Sequence, residues 1–209
     1  MQDQTLVAVN SGANMNFERL RYVAERTQIG ERREALFAVT IPERPGALRE
    51  FCSDMVGERN ITEFNYRLAD RERAQIFVGI SIGDDTERLI FSRQLTEAGF
   101  DNVDLTDNEL AKTHVRYMVG GRSEAVTSEV LFRFWFPERP GALGNFLAAM
   151  GESWNISLFH YRLQGGDFGR VLIGLEIPEG EQVKFRRFLE KLGYRYMEET
   201  ENPAYRMFL

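Results

Sequence analysis

The heptapeptide Pro-Glu-Arg-Pro-Gly-Ala-Leu occurs twice, at 42–48 and at 137–143, and no other feature constrains the fold as strongly. Each copy follows a short apolar run and precedes apolar residues at helical spacing. Further matches keep the same offset of 95 residues: 60–68 (NITEFNYRL) with 155–163 (NISLFHYRL), and Gly79 with Gly174. A constant offset over this length indicates that one structural unit is used twice.

The pattern within each copy predicts the element order β-α-β-β-α-β. For the first copy the predicted strands are 35–41, 61–69, 74–82 and 103–105, with helices at 46–57 and 86–98. For the second copy they are strands 130–136, 156–163, 169–177 and 194–198, with helices at 141–152 and 181–192. This order is the ferredoxin-like plan, an antiparallel sheet under two helices. We therefore predict an α+β protein with two tandem ferredoxin-like units.

The predicted domain limits are 35–121 for the first unit and 122–209 for the second, with the joint at Gly120-Gly121. A short helix (108–113) and a strand (115–119) are predicted at the end of the first unit. The segment 202–208 is interpreted as a shortened copy of that pair, with Arg206 in the place of Arg116. Residues 1–34 show one strand (5–9) and one helix (16–27), too little for a core, and are predicted to be the end of another domain plus a linker.

Composition excludes several classes of function. A net charge of −6 without a basic block argues against nucleic acid as a partner. Cys52 is the one cysteine, so a disulfide framework is excluded and a reducing compartment is expected. The first residues lack the features of a signal peptide, and no apolar run reaches the length of a membrane span. We expect a cytoplasmic protein.

No catalytic residue and no metal site is predicted. His114 and His160 lie in different repeats, without the spacing of metal ligands. Cys52 falls on the apolar stripe of a predicted helix, where a core thiol is expected rather than a nucleophile. The three lysines fall on predicted amphipathic helices, which does not favour a Schiff-base role: Lys112, Lys184 and Lys191.

A binding site for a free amino acid is better supported. The turns Pro45-Gly46 and Pro140-Gly141 open helices, so they offer backbone N–H groups to a carboxylate, and glycine permits close approach. Leu48 and Leu143, just inside the helices, can line an apolar pocket. The following strands end in the pairs Tyr66-Arg67 and Tyr161-Arg162, which add a hydroxyl and a guanidinium. The alternative is a turn kept for its shape alone; two copies of the same set favour binding.

Four strings carry a resemblance to a known family: 39–43 (VTIPE), 62–67 (TEFNYR), 114–122 (HVRYMVGGR) and 155–162 (NISLFHYR). They resemble the C-terminal regulatory domain of biosynthetic threonine ammonia-lyase, also called threonine deaminase or dehydratase. That domain is a tandem of ACT-like units, which share the β-α-β-β-α-β plan. The resemblance covers about residues 35–209.

The resemblance implies a function and a set of effector residues. The family enzyme uses pyridoxal phosphate to convert threonine to 2-oxobutanoate and ammonia in isoleucine synthesis; isoleucine inhibits it, and valine competes and activates. Tyr66 and Tyr161 are implied as effector-site residues, with Arg116 and Arg162 supporting feedback sensitivity. The apolar positions whose change would desensitise the enzyme are Leu143, Leu147 and Met150.

The sequence departs from the family enzyme because the catalytic domain is missing. Residues 5–27 resemble the last strand and exit helix of that domain, and Ser11 resembles the serine that faces the cofactor's pyridine nitrogen. We therefore expect no lyase activity and no pyridoxal phosphate in this chain, with the catalytic domain and further copies of the chain as partners. The alternative interpretation is an assembly domain that has lost ligand binding.

Overall fold

Eight strands form a single antiparallel sheet in the computed structural model, in the order β4-β1-β3-β2-β6-β7-β5-β8. Their bounds are β1 (Glu34–Pro42), β2 (Ile61–Arg67), β3 (Arg73–Ser81), β4 (Asn102–Asp104), β5 (Glu129–Pro137), β6 (Asn155–Arg162), β7 (Phe168–Glu176) and β8 (Tyr196–Glu198). The helices are α1 (Ala47–Phe51), which continues as a π-helix over Cys52–Val56, α2 (Asp85–Glu97), α3 (Glu109–Thr113), α4 (Ala142–Met150), α5 (Gln182–Leu192) and α6 (Pro203–Phe208). The predicted α+β fold with two β-α-β-β-α-β repeats is confirmed.

The structure describes residues 33–121, 123–126, 128–163 and 168–209, together with Leu20 and Val23, which are helical and exposed. The predicted strand at 5–9, most of the predicted helix at 16–27, Ser11 and the predicted turn at 164–167 lie outside the described residues. All elements named above belong to one compact unit, Arg32–Leu209.

The two repeats join through the pairing of β2 with β6 at the centre of the sheet. In this pairing Asn65 lies opposite His160, Phe64 opposite Tyr161, and Tyr66 opposite Phe159. Asn65 and His160 hold the same position in the two repeats, so an approximate twofold axis passes between them. The outer strands β4 and β8 have only three residues each, which limits the exposed sheet edges.

One face of the sheet is covered by α1, α2, α4 and α5, and the core between them is continuous across both repeats. Phe64 and Phe159 meet edge to face across the repeat boundary, with ring centroids 5.4 Å apart. On the opposite face, which we call the far face, a smaller apolar cluster forms between α3 and the sheet around Leu36, Phe77 and Ala111. Because successive side chains of a strand point to opposite faces of the sheet, each strand residue faces either these helices or the far face.

The Pro-Gly turns require glycine. Gly46 and Gly141 precede α1 and α4 with φ angles of 89° and 80°, in the left-handed region that L-residues with a Cβ rarely adopt. This conformation turns the chain from the end of β1 or β5 directly into the following helix.

The predicted strand at 115–119 is wrong. Val115–Tyr117 forms a 3-10 helix, and the backbone of Met118 and Val119 has no regular structure. Tertiary contacts explain this difference, because Arg116 is only 7% exposed and forms ion pairs with Glu34 and Glu63 on the far face. The C-terminal segment is a helix alone, α6, and Arg206 on it lies at the surface with Glu201 as its partner.

Within the described ranges no helix is long and apolar enough to span a membrane.

Candidate functional site

A pocket lies beneath the Pro45-Gly46 turn, where the two repeats meet; we call it pocket A. Its empty volume, which includes the open mouth, is about 340 Å³. The first unit (35–121, called repeat 1) contributes Ile41 to Arg49, Tyr66 and Ala74. The second unit (122–209, called repeat 2) contributes Leu147, Met150, Gly151, Trp154, Asn155 and Ile156. Neither repeat could form this pocket alone.

A second pocket, pocket B, lies beneath the Pro140-Gly141 turn and has an empty volume of about 520 Å³. Repeat 2 contributes Phe136, Pro137, Arg139 to Gly144, Phe159 and Tyr161, and repeat 1 contributes Cys52, Val56, Gly57, Arg59, Asn60 and Ile61. Asn60, Arg59 and Cys52 hold the positions that Asn155, Trp154 and Leu147 hold in pocket A. The two pockets are therefore related by the approximate twofold axis.

Each of the helices α1 and α4 serves both pockets. On α4, Leu143 lines pocket B while Leu147 and Met150, one and two turns further on, line pocket A. On α1 and its continuation, Leu48 lines pocket A and Cys52 lines pocket B. Both helices thus contribute side chains to both pockets.

The polar wall of pocket A is built from both repeats. The carboxylate of Glu43 accepts a short hydrogen bond from the hydroxyl of Tyr66 and a second one, of 3.0 Å, from Nδ2 of Asn155. Burial raises the pKa of Glu43, against the hydrogen bonds from Tyr66 and Asn155 that lower it. Burial also raises the pKa of Tyr66, and its hydrogen bond to Glu43 adds to the shift. The phenol is therefore a donor at every physiological pH.

The polar groups of pocket B make different contacts. Nδ2 of Asn60 donates to Oγ of Ser81 at 3.5 Å, and the Arg59 guanidinium donates to the carbonyl of Met55 at 3.2 Å. Burial raises the pKa of the Tyr161 phenol, as it does for Tyr66. Burial also raises the pKa of the Cys52 thiol to about 12, so this wall of the pocket is apolar and unreactive.

Ten of the thirteen residues predicted for effector binding line one of the two pockets. Those at pocket A are Pro45, Gly46, Leu48, Tyr66, Leu147 and Met150, and those at pocket B are Pro140, Gly141, Leu143 and Tyr161. The structure does not bring the three predicted arginines to either pocket: Arg67, Arg116 and Arg162. Because side chains alternate along a strand, Arg67 and Arg162 project to the far face when the adjacent Tyr66 and Tyr161 face the helices.

Arg116 forms a buried cluster on the far face with two carboxylates. Its Nε lies 2.9 Å from Glu63, and its Nη2 lies 3.1 Å from Glu34. Glu63 is fully buried and also accepts a hydrogen bond of 3.0 Å from Asn65. Burial raises the pKa of Glu63 to about 7, against the attraction of Arg116 and Arg162.

The other two arginines tie the repeats together on the far face. Arg67, from repeat 1, forms an ion pair of 2.5 Å with Glu129 of repeat 2 and donates to the carbonyl of Gly121 at 2.9 Å. The Arg162 guanidinium lies over the ring of Tyr117, 4.6 Å from its centroid. The far face thus holds the joint between repeats in place.

Sequence reasoning missed several pocket residues. Glu43, Trp154, Asn155 and Asn60 were not among the predicted site residues, although both asparagines open the repeated NI(T/S) string and so carried a signal. Their role depends on the β2–β6 pairing, which places the start of each repeat's second strand against the turn of the other repeat.

Neither pocket has a lysine in its described lining for the pyridoxal phosphate that the family enzyme uses. The three lysines lie on α3 and α5 rather than in either pocket: Lys112, Lys184 and Lys191. Lys112 pairs with Glu109, and the Lys184 ammonium lies over the ring of Trp154. None of them is placed to bind an aldehyde cofactor.

Comparison with known proteins identifies the family. The profile of the family described as "C-terminal regulatory domain of Threonine dehydratase" matches residues 25–115 and 120–209. The chain is 57% identical over 209 residues to the L-threonine dehydratase biosynthetic IlvA of Burkholderia multivorans, covering 100% of this chain and 41% of the relative.

More distant relatives show the same coverage. The L-threonine dehydratase biosynthetic IlvA of Escherichia coli is 50% identical over 210 residues, covering 100% of this chain and 40% of the relative. The mitochondrial threonine dehydratase of Saccharomyces cerevisiae is 45% identical over 214 residues, covering 98% of this chain and 37% of the relative. The chain spans about two fifths of the length of these relatives. It belongs to the family of C-terminal regulatory domains of threonine dehydratase.

Proposed function

We propose that this chain is an amino-acid sensor that binds isoleucine and valine in pockets A and B. The observation that supports this most is the shared construction of the pockets, each closed by the Pro-Gly turn of one repeat and a helix of the other. A ligand in such a pocket contacts both repeats, so its binding free energy depends on how the repeats meet. This dependence is what an allosteric module needs.

The chemistry of pocket A suits a branched aliphatic amino acid. Leu48, Leu147 and Met150 offer an apolar wall to the side chain. Tyr66 and Glu43 lie on the polar wall, where an ammonium group requires oxygen acceptors. Pocket B repeats the apolar wall with Leu143, Cys52, Val56 and Phe159.

The regulated partner in this proposal is the catalytic domain of threonine dehydratase, which converts threonine to 2-oxobutanoate and ammonia with pyridoxal phosphate. Isoleucine would favour an arrangement of the repeats that inhibits the enzyme, and valine would favour another, in proportion to their differential affinities. We expect the module to work within a cytoplasmic oligomer of the enzyme.

Thermal unfolding with saturating L-isoleucine, L-valine or L-threonine tests the proposal. A ligand at about 100 times its Kd adds roughly 2.7 kcal/mol to the folded state, which raises Tm by about 5–10 °C for a chain of this size. We expect a shift with isoleucine or valine and none with threonine. No shift with any of the three would contradict the sensor, and the assembly interpretation would then replace it.

A further inference from the structure

A chain of hydrogen bonds crosses the repeat boundary twice at pocket A; we call it the polar bridge. It runs from Tyr66 to Glu43 in repeat 1, to Asn155 and Glu176 in repeat 2, and back to Arg71 in repeat 1. Nδ2 of Asn155 lies 3.0 Å from Glu43 and 3.2 Å from Glu176. Arg71 then binds Glu176 with two hydrogen bonds of 2.9 Å. Glu43 is therefore held by one residue from each repeat.

Pocket B does not repeat the polar bridge. Ser81 and Gly166 occupy the sequence positions that Glu176 and Arg71 occupy at pocket A. Asn60, the counterpart of Asn155, donates to Ser81. Glu138, the counterpart of Glu43, is not among the described residues that line pocket B, whereas Glu43 is part of the wall of pocket A. The described lining of pocket A thus includes a carboxylate and that of pocket B does not, although the charge of Glu138 reaches Tyr161 in the wall of pocket B.

The Glu43 carboxylate has capacity for a further donor. An ionised carboxylate offers about four lone-pair sites, and Tyr66 and Asn155 use two of them. Partial burial strengthens any ion pair that it makes, because water screens the charge less. The carboxylate of Glu176 behind Asn155 adds negative potential at Glu43, which the smaller effect of Arg71 offsets only in part. An ammonium group is the donor that suits this position.

We propose that Glu43 is the residue that makes pocket A selective for ligands with a free ammonium group, while pocket B lacks this requirement. Tyr66 and Asn155 are positioning residues in this arrangement. The inference rests on the proposed function, since it assumes that pocket A takes an amino acid. In this proposal pocket A recognises the ammonium group of the ligand, whereas binding in pocket B does not require that group.

Trp154 provides a signal specific to pocket A. The chain has two tryptophans, and Trp154 lines pocket A while Trp135 stacks with Arg133 and Arg195 away from it. In the Trp135→Phe background, fluorescence therefore reports ligand binding at pocket A, and calorimetry reports all binding. The ligands are L-isoleucine and 2-hydroxy-3-methylpentanoate, in which a hydroxyl replaces the ammonium group.

We expect Glu43→Gln to weaken L-isoleucine binding at pocket A about 10- to 100-fold, the scale of a lost charge-assisted hydrogen bond. Binding of the hydroxy acid there should change little, so the preference for the amino acid should fall by a similar factor. Glu138→Gln is the matched control and should leave the Trp154 signal unchanged. Glu43→Asp keeps the charge and should retain the preference for the ammonium group, even where its affinity is lower.

The outcomes separate this inference from the proposed function. If the parent chain binds L-isoleucine and Glu43→Gln keeps the same preference over the hydroxy acid, this inference is overturned and the sensor remains. An equal loss for both ligands would likewise overturn it, because Glu43 would then act only on the shape of the pocket. If the parent chain binds no ligand by either method, the proposed function itself fails.

Discussion

Asn65 and His160 lie directly opposite each other where β2 pairs with β6, at identical positions of the two repeats. The pairing therefore relates the repeats by a local twofold axis, and it makes one sheet and one core of them. Burial and the nearby Arg162 guanidinium lower the pKa of His160, so its ring is neutral at the centre of the sheet near pH 7. His160 therefore adds no charge to the far face, where the charged groups described above are arginines and glutamates.

A shared core predicts a single unfolding transition for the two repeats. Phe159 is 1% exposed and meets Phe64 across the boundary. Phe159→Ala should destabilise the protein by about 3–5 kcal/mol, as for other buried aromatic truncations, and calorimetry should still show one transition. Phe208→Ala, at a side chain that is 69% exposed, is the control and should cost less than about 0.5 kcal/mol. Two separate transitions in the parent chain would contradict the shared core.

The division of α4 between the pockets predicts that its leucines affect different sites. Leu147→Ala should cost about 2–5 kcal/mol of stability and enlarge pocket A, because Leu147 is 1% exposed. Its effect on ligand binding should appear in the fluorescence of Trp154, which lines the same pocket. Leu143→Ala should affect pocket B and leave the Trp154 signal nearly unchanged. Equal effects of both variants on that signal would show that the pockets do not act separately.

Gly79 and Gly174 hold the same position in the two repeats, and steric contacts explain why this position is a glycine. A Cβ on Gly174 would lie 2.8 Å from Cδ of Glu129 and 2.9 Å from Oγ of Ser157. We expect Gly174→Ala to destabilise by about 1–3 kcal/mol. Gly144, inside α4, has open space where an added methyl group would lie, so Gly144→Ala should stabilise by up to about 1 kcal/mol. Urea denaturation of both variants measures the difference, and a neutral Gly174→Ala would refute the steric explanation.

The duplication predicted the fold well because each local signal agreed with the others. The Pro-Gly turns, the strand patterns and the constant offset all supported the same six-element repeat. The pockets were less predictable, since Asn155 reaches Glu43 only through the pairing of β2 with β6. A sequence read one repeat at a time does not reveal which partner each strand takes.

The placement of the arginines shows a signal that was present but not used. Tyr66 and Arg67 are neighbours on one strand, so they project to opposite faces and cannot both line one pocket from the sheet. The 3-10 helix at Val115–Tyr117 was not predictable in this way, because β-branched and aromatic residues favour a strand there. The burial of Arg116 with Glu34 and Glu63 overrides that local preference.

Removing Arg116 should be far more costly than removing its counterpart in the second repeat. Arg116→Met leaves two carboxylates, Glu34 and Glu63, without their shared cation, and breaking a buried pair in this way costs about 3–5 kcal/mol. Arg206→Met removes a surface pair with Glu201 and should cost at most about 1 kcal/mol. Chemical denaturation of the two variants at pH 7 checks this, and similar losses would contradict the structural difference between them.

The buried carboxylate of Glu63 should make stability depend on pH. Burial raises its pKa from 4.5 to about 7, although Arg116 and Arg162 oppose the shift. The folded state then binds a proton more tightly than the unfolded state, so the contribution of Glu63 to the free energy of unfolding is fully present below pH 4.5 and is lost as the pH rises through about 7. Glu63→Gln removes the titration while keeping a hydrogen-bonding side chain.

Denaturation curves measure the free energy of unfolding of the parent chain and of Glu63→Gln between pH 4 and pH 8, in steps of about half a pH unit. The difference between the two free energies at each pH isolates the contribution of Glu63. We expect the parent chain to lose stability relative to the variant as the pH rises through this window. The subtraction removes other groups with shifted pKa values, such as Glu43, whose pKa burial also raises. A difference that is flat, or that increases with pH, would mean that Arg116 keeps Glu63 ionised in the folded state. In that case the ion pair, and not the burial, would decide the protonation of this cluster.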